Sequence, residues 1–293
     1  MKQLSLKGCG TALFTPFKDG ALDEGALVRN VERQVAAGIH FLVPLGTTGE
    51  TPCLSLEERR RILELTRAHA GGRPVVVGGG TNSLSATLES IRALDGADAF
   101  LIVVPYYNKP TQEGLYQYFK AVAEGTDKPV ILYNVPGRTG ANLAAETTLR
   151  LAEEVPGIVA IKEASGNYAQ ISEIIRCAPE GFSVLSGNDD ETLPLMATGA
   201  DGVISVASNV APREMVALTE AMSRGDLATA RSLHHRLSPL FKTLFLESNP
   251  IPGKAAMARL GLMENSLRLP LVPASRETEE RMAQVLEALN PII

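Results

Sequence analysis

The feature that most constrains this chain is a pattern met eight times along it: a short apolar or β-branched run, then an amphipathic segment of about 10 to 15 residues. The runs are GTALFTPF (10–17), IHFLVPL (39–45), PVVVG (74–78), AFLIVVP (99–105), PVILYNV (129–135), IVAIKEA (158–164), FSVLSG (182–187) and GVISVAS (202–208). Strands that alternate with helices build a parallel sheet. Eight evenly spaced units, with no dinucleotide-binding glycine fingerprint after the first run, predict an α/β fold of the closed (β/α)8 type, a TIM barrel, over residues 1–225. The GGGTN after the third run is not GxGxxG and predicts a tight turn with close backbone approach. Helix signals are explicit in SLEERRRILELTRAHAGG, where Ser55 and Glu58 form a capping-box pattern and Gly71 and Gly72 a stop. Residues 226–293, including DLATARSLHHRLSPLFKTLFLE, GKAAMARLGL and RETEERMAQVLEAL, predict a C-terminal helical extension packed on the barrel.

Composition removes several function classes. A chain of 293 residues with 45% hydrophobic content, 21% charged residues and a net charge of -5 is not built for a polyanionic partner, so nucleic acid is not expected. No stretch approaches the roughly 18 to 20 apolar residues of a membrane span, and the N-terminus lacks a long apolar leader, which predicts a cytoplasmic protein. Cys9, Cys53 and Cys177 are scattered and odd in number, as expected of reduced thiols. His40, His69, His234 and His235 form no metal-ligand pattern, so no metal is expected.

In barrels of this kind catalytic groups stand at the C-terminal ends of the strands. Here those ends carry Thr47 and Thr48 in GTTGE, Tyr106 and Tyr107 in PYYN, Tyr133 followed by Arg138 in NVPGRTG, Lys162, and SGNDD. Each has an ordinary alternative. A strand-end tyrosine is commonly a packed ring with a wetted hydroxyl, a threonine in a glycine-flanked turn a turn former, and an isolated arginine a surface group. Asp189 and Asp190 can start the next helix, and Glu50 and Glu163 can be structural or solvent-facing, Glu163 pointing away from its neighbour Lys162 by strand alternation. Lys162 differs, because of the nine lysines it alone abuts an uninterrupted four-residue apolar run, and the others lie among turn or helix-surface residues. An unpaired buried ammonium is costly, so the site must partner it or disfavour its charge.

An amine attacks a carbonyl only as its free base, a form that about one ordinary lysine in a few thousand takes at pH 7, and burial favours that form. Condensed with a keto acid, such an amine gives an iminium, an electron sink that lets the neighbouring carbon lose a proton and attack an electrophile as an enamine. This chemistry needs proton transfer beside the amine and a cradle for the carboxylate. Tyr133, Thr47 and a second tyrosine can pass a proton, Thr48 and the GTTG backbone can hold a carboxylate, and Arg138 offers a fork for a second one.

GTTGE, PYYNKPTQEGLYQYF, ILYNVPGRTG, IKEASG, SGNDD and GVISVASN, in that order and spacing across nearly the whole chain, resemble the dihydrodipicolinate synthase and N-acetylneuraminate lyase family of class I aldolases. The resemblance implies that Lys162 forms the imine with pyruvate, that Tyr133, Thr47 and Tyr107 relay protons, and that Thr48 binds the pyruvate carboxylate. It implies that Gly187 and Ile204 border pyruvate through their backbones and that Arg138 receives the carboxylate of L-aspartate 4-semialdehyde. It further implies a Schiff-base lyase forming 4-hydroxy-tetrahydrodipicolinate in lysine (diaminopimelate) biosynthesis, with no cofactor. Tyr107 would enter the neighbouring subunit's site within a homotetramer built as a dimer of tight dimers. Two alternatives stay open: a pyruvate-dependent aldolase for a sugar acid, of the N-acetylneuraminate or 2-keto-3-deoxygluconate type, and a non-catalytic small-molecule-binding barrel. One departure bears on regulation. Where lysine-inhibited relatives tend to offer His and Glu to bound lysine, the aligned positions here are Leu56, Arg59 and Ala86, which predicts weak or absent lysine inhibition.

Overall fold

The computed structural model describes residues 4–289. The first three residues of the 1–225 assignment and the last four of the 226–293 assignment lie outside them. Seven of the eight apolar runs contain a strand and the first overlaps one that begins two residues earlier: β1 (Gly8–Ala12), β2 (Phe41–Val43), β3 (Val76–Gly78), β4 (Ala99–Val103), β5 (Val130–Asn134), β6 (Ile158–Glu163), β7 (Ser183–Ser186) and β8 (Gly202–Ser205). All pair in parallel in the order β2-β1-β8-β7-β6-β5-β4-β3. A parallel bridge between Leu42 and Val75 brings the two outer strands together and closes the barrel.

The strands are shorter than the apolar runs, for local reasons. The run GTALFTPF ends its barrel strand at Ala12, and Phe17–Lys18 pairs instead with Ala21–Leu22 in a separate antiparallel hairpin. Pro16 between them has no N–H to offer a ladder. The run GVISVAS leaves the sheet after Ser205 because the Asp189 carboxylate takes the N–H groups of Val206 and Ala207, at 3.1 and 3.0 Å.

Helices α1 (Glu24–Ala36), α2 (Leu56–His69), α3 (Leu84–Ala93), α4 (Gln112–Glu124), the four-residue α5 (Pro136–Thr139), α6 (Ala145–Glu154), α7 (Tyr168–Cys177), α8 (Thr192–Ala197) and α9 (Pro212–Ser223) connect or follow the strands. Beyond them lie α10 (Leu227–Thr243), α11 (Ile251–Arg259) and α12 (Arg276–Leu289). The capping box on α2 forms as the sequence predicts, with Ser55 Oγ accepting from Glu58 N–H and the Glu58 carboxylate accepting from Ser55 N–H. The helix then stops at Ala70, and Gly71 and Gly72 take left-handed φ values of 58° and 78°. Among the described residues no helix is long and apolar enough to cross a membrane.

Strand alternation divides the apolar residues into two layers. Ala12, Phe41, Val76, Leu101, Ile131 and Ile204 belong to the barrel interior, while Leu42, Val77, Phe100, Leu132, Ile161 and Val203 pack outward beneath the helices. Gly10 lets the interior close, since a methyl on it would meet the Phe41 ring at 2.1 Å. One irregularity sets the phase of β6. Val130 pairs with Ile158 but Ile131 pairs with Ala160, so Val159 is an extra residue in a β-bulge. Ile158 therefore joins the outer layer, and Ala160 falls in the interior on the same side as Lys162 two residues on.

Candidate active site

Lys162 is the last inward-facing residue of β6 and is 6% exposed. The ladder places it beside Tyr133 on β5, and its Nζ lies 4.4 Å from the centroid of that ring. On the other flank Gly187 follows β7, its N–H bonded to Glu163 O at 2.6 Å. Glycine is required there, because a methyl would stand 3.1 Å from Lys162 Cε and 2.6 Å from Ala164 Cβ. The lysine stem thus has space that any other residue at 187 would fill.

Directly behind this pair, on the outer face, Asn134 and Glu163 are also register partners. Asn134 Nδ2 donates to Glu163 Oε1 at 2.8 Å, Gln170 Nε2 donates to the same oxygen at 2.9 Å, and Ser165 N–H donates to Oε2 at 3.2 Å. Glu163 is fully buried, which excludes the solvent-facing alternative and leaves the structural one. Burial pushes its carboxyl above the ordinary value, and the bonds from Ser165, Asn134 and Gln170 oppose that rise. Asp189 likewise does more than begin a helix. It is buried, accepts from Ser205 Oγ at 2.5 Å as well as from the two backbone N–H groups at the end of β8, and so ties β7's loop to β8. Burial raises its carboxyl, and these three bonds with the nearby Lys162 charge pull it back.

The GTTGE segment forms a tight 3-10 turn over Thr47–Gly49, entered from Leu45 at φ 60° and left through Glu50 at φ 53°. Left-handed backbone at two non-glycine residues costs about 1 to 3 kcal/mol each and needs external support. The support comes largely from residues beyond α9. Glu50 and Lys254, both with wholly buried side chains, form an ion pair. Arg268 N–H donates to Glu50 Oε2 at 3.0 Å, and Lys254 Nζ donates to Ser266 O at 2.9 Å while standing 4.2 Å from the Phe17 ring centroid. Burial holds the Lys254 ammonium down to about 8, with Glu50 opposing the fall. Thr15 Oγ1 adds a bond to Gly49 O at 2.7 Å. The sequence reading of every lysine but Lys162 as a turn or surface residue is therefore corrected at Lys254, and the solvent-facing alternative for Glu50 is excluded.

The structure gathers Lys162, Tyr133, Thr47, Thr48, Arg138 and Gly187 round one small cavity of about 60 Å3. A larger cavity of about 300 Å3 adjoins it and shares Thr47, Tyr133 and Arg138. Arg138 sits on α5, with Nη2 donating to Asn249 O at 3.1 Å. Ile204 packs fully buried in the barrel interior below. Tyr107 is not brought in: it is 88% exposed, at φ 76°, and lines neither cavity. Asn249 and Phe245 line the Lys162 cavity and were not singled out in the sequence. The Asn249-Pro250 pair is a turn signal, but only the fold puts it beside Thr48.

The chain is similar along most of its length to known proteins. The model of the Dihydrodipicolinate synthetase family matches residues 5–289. The 4-hydroxy-tetrahydrodipicolinate synthase of Phocaeicola vulgatus is 50% identical over 294 aligned positions that cover 99% of each chain. The enzyme of the same name from Thermotoga neapolitana is 50% identical over 96% of this chain and 97% of its own. The crystal structure of dihydrodipicolinate synthase from Thermotoga maritima superposes with a TM-score of 0.95 at 48% identity, over 96% of this chain and 97% of that one. With a barrel closed round a strand-end lysine and a match along almost its entire length, the chain belongs to the dihydrodipicolinate synthase family.

Proposed function

We propose that the protein is a Schiff-base lyase that condenses pyruvate with L-aspartate 4-semialdehyde to 4-hydroxy-tetrahydrodipicolinate, a step toward lysine. The observation that carries the reading is the buried Lys162 amine beside the Tyr133 ring, with Thr48 and Arg138 lining the same cavity. Thr48 and the turn's backbone N–H groups hold the pyruvate carboxylate, which sets C2 against Lys162 Nζ. The amine adds to C2, water leaves, and the iminium draws electrons from C3. Tyr133 takes the C3 proton, and the resulting enamine forms a carbon–carbon bond to the aldehyde carbon of the second substrate. Tyr133 returns a proton to the new alkoxide, with Thr47 and Tyr107 completing the relay. Arg138 orients the second substrate through its carboxylate. That substrate's own amine then adds to C2 and displaces Lys162, closing the ring and freeing the enzyme. One water is lost over the sequence, at imine formation.

Tyr107 fits this scheme when a second copy of the chain supplies it, which its exposure allows, and the assembly is read as a tight dimer paired again into a tetramer. Residues 1–225 are read as the catalytic barrel and 226–293 as the extension that buttresses its turn.

Borohydride reduction in the presence of pyruvate tests the nucleophile. A pyruvate-derived mass increment on the Lys162 peptide is expected, and its absence refutes the imine mechanism. Rates with aspartate semialdehyde and with a sugar-acid aldehyde on one preparation test the acceptor, and a preference for the sugar-type aldehyde overturns the assignment.

A further inference from the structure

Asn249 lies in the segment between α10 and α11, 201 residues from Thr48 in the chain. Its side-chain Nδ2 donates to Thr48 Oγ1 at 2.9 Å in a buried contact. Its backbone carbonyl accepts from Arg138 Nη2 at 3.1 Å. One residue therefore touches both groups that the proposed function assigns to substrate carboxylates, and it lines the cavity they share with Lys162.

The direction of the first bond has a chemical consequence. A threonine hydroxyl owns one hydrogen, which it can give once, and lone pairs with which it accepts. Asn249 fills a lone pair and leaves the hydrogen uncommitted, since among the described residues the Thr48 hydroxyl donates to no protein group. A hydroxyl held in this way keeps its hydrogen free to donate into the cavity, and a carboxylate accepts only. The second bond acts on Arg138 in the same spirit. A guanidinium has five N–H donors, and anchoring one on a buried backbone carbonyl restrains the fork while leaving the others for a ligand.

We propose that Asn249 is a positioning residue that polarises Thr48 as a hydrogen-bond donor to the keto-acid carboxylate and steadies Arg138 for the acceptor carboxylate. Both substrate anions are thus set by a residue outside the eight strand-end loops. The inference rests on Thr48 being the carboxylate-binding group.

Steady-state kinetics for both substrates on Thr48→Val, Asn249→Ala, Asn249→Asp and the Thr48→Val/Asn249→Ala double variant test it, with folding checked by thermal melting. A hydrogen bond to a charged group implies that T48V and N249A each raise the pyruvate KM about tenfold or more, with kcat much less affected. The double variant should be no worse for pyruvate than T48V, because Asn249 acts on pyruvate through the Thr48 hydroxyl that T48V already removes. N249D is the discriminating case. It keeps the volume of asparagine but takes the Thr48 hydrogen for itself and faces the pyruvate carboxylate with a like charge, so its pyruvate KM should exceed that of N249A. A packing role predicts the opposite order, with the isostere milder. An amide turned to present Oδ1 to Thr48 would let aspartate replace asparagine without loss of pyruvate binding. Either result overturns the proposal, as do effects of T48V and N249A that multiply in the double variant. An unchanged pyruvate KM in T48V refutes the Thr48 assignment itself, whereas a T48V effect without an ordered Asn249 effect refutes only the inference about Asn249.

Discussion

Replacing Lys254 by methionine tests whether the carboxylate turn is held from outside the barrel. Methionine keeps most of the stem that packs near Phe17 but leaves Glu50 as a wholly buried carboxylate. Removing one partner of such a pair costs about 3 to 5 kcal/mol. The Arg268 N–H still donates to Glu50 Oε2, which argues for the lower end, about 3 kcal/mol. For a chain of this size each kcal/mol shifts the melting midpoint by about 2 to 4 °C, so a fall of about 6 to 12 °C is expected. Removing the second charge as well, in Glu50→Gln/Lys254→Met, should restore at least half of the loss, because no unpaired ion remains. Differential scanning calorimetry at one fixed protein concentration measures both variants, and urea unfolding gives an independent free energy. Glu50 follows the Thr47–Gly49 turn, so K254M should also raise the pyruvate KM more than it lowers kcat. A single variant that melts within about 2 °C of the parent, or a double variant as damaged as the single one, refutes the buried-pair account.

Two other outcomes follow from the same surroundings. The Arg268 guanidinium bonded to Glu58 holds that carboxyl down to about 2, with Ser55 contributing. A depressed carboxylate stabilises the folded state above its ordinary value of about 4.5 and loses that contribution as the pH falls from there toward 2. Urea unfolding from pH 7 to pH 3 should therefore show a shallower acid decline in Glu58→Gln than in the parent, and parallel declines refute the claim. At the three positions on which the expected weak or absent lysine inhibition rests, this chain has an exposed Leu56, an Arg59 whose Nη2 is bonded to Thr51 O at 2.8 Å, and Ala86. Submillimolar lysine should leave the rate unchanged, and strong inhibition in that range refutes the expectation.

The parts of this architecture that announce themselves in the sequence are those fixed by local pattern. AFLIVVP is apolar throughout, and PVILYNV nearly so, because their strands are covered on both faces, and the Ser55 to Glu58 capping box is a four-residue motif that forms as written. Lys162 was visible for the same reason: a charge against a continuous apolar run stands out. Lys254 did not stand out, although it is the more buried of the two. Helix α11 is buried at every residue of Ile251–Met257, so it has no polar face there against which a misplaced charge would show, and its Gly and Ala residues resemble an ordinary helix surface. Its partner Glu50 is 204 positions away, and no periodicity links them. Asn249 was invisible on the same ground, because its importance comes from where the C-terminal segment crosses the barrel mouth. Asp189 shows the converse error, since a carboxylate ahead of a helix has an adequate local explanation that hides its bonds to β8. Strand ends were blurred where a proline or a buried carboxylate intercepted the ladder.

The bulge at Val159 divides β6 into two stretches with different tolerance to gained or lost residues. At and before Val159 the strand already accommodates a broken alternation, so a change in residue count there can be taken up by reshaping the bulge while Ala160 and everything after it keep their faces. Between Ala160 and Lys162 no such slack exists. A single residue added there would carry the amine to the helix-facing layer, into the place where Glu163 is clamped by Asn134 and Gln170. Lineages of such barrels can therefore vary the lower end of this strand in length, but the three residues that deliver the nucleophile behave as an indivisible unit.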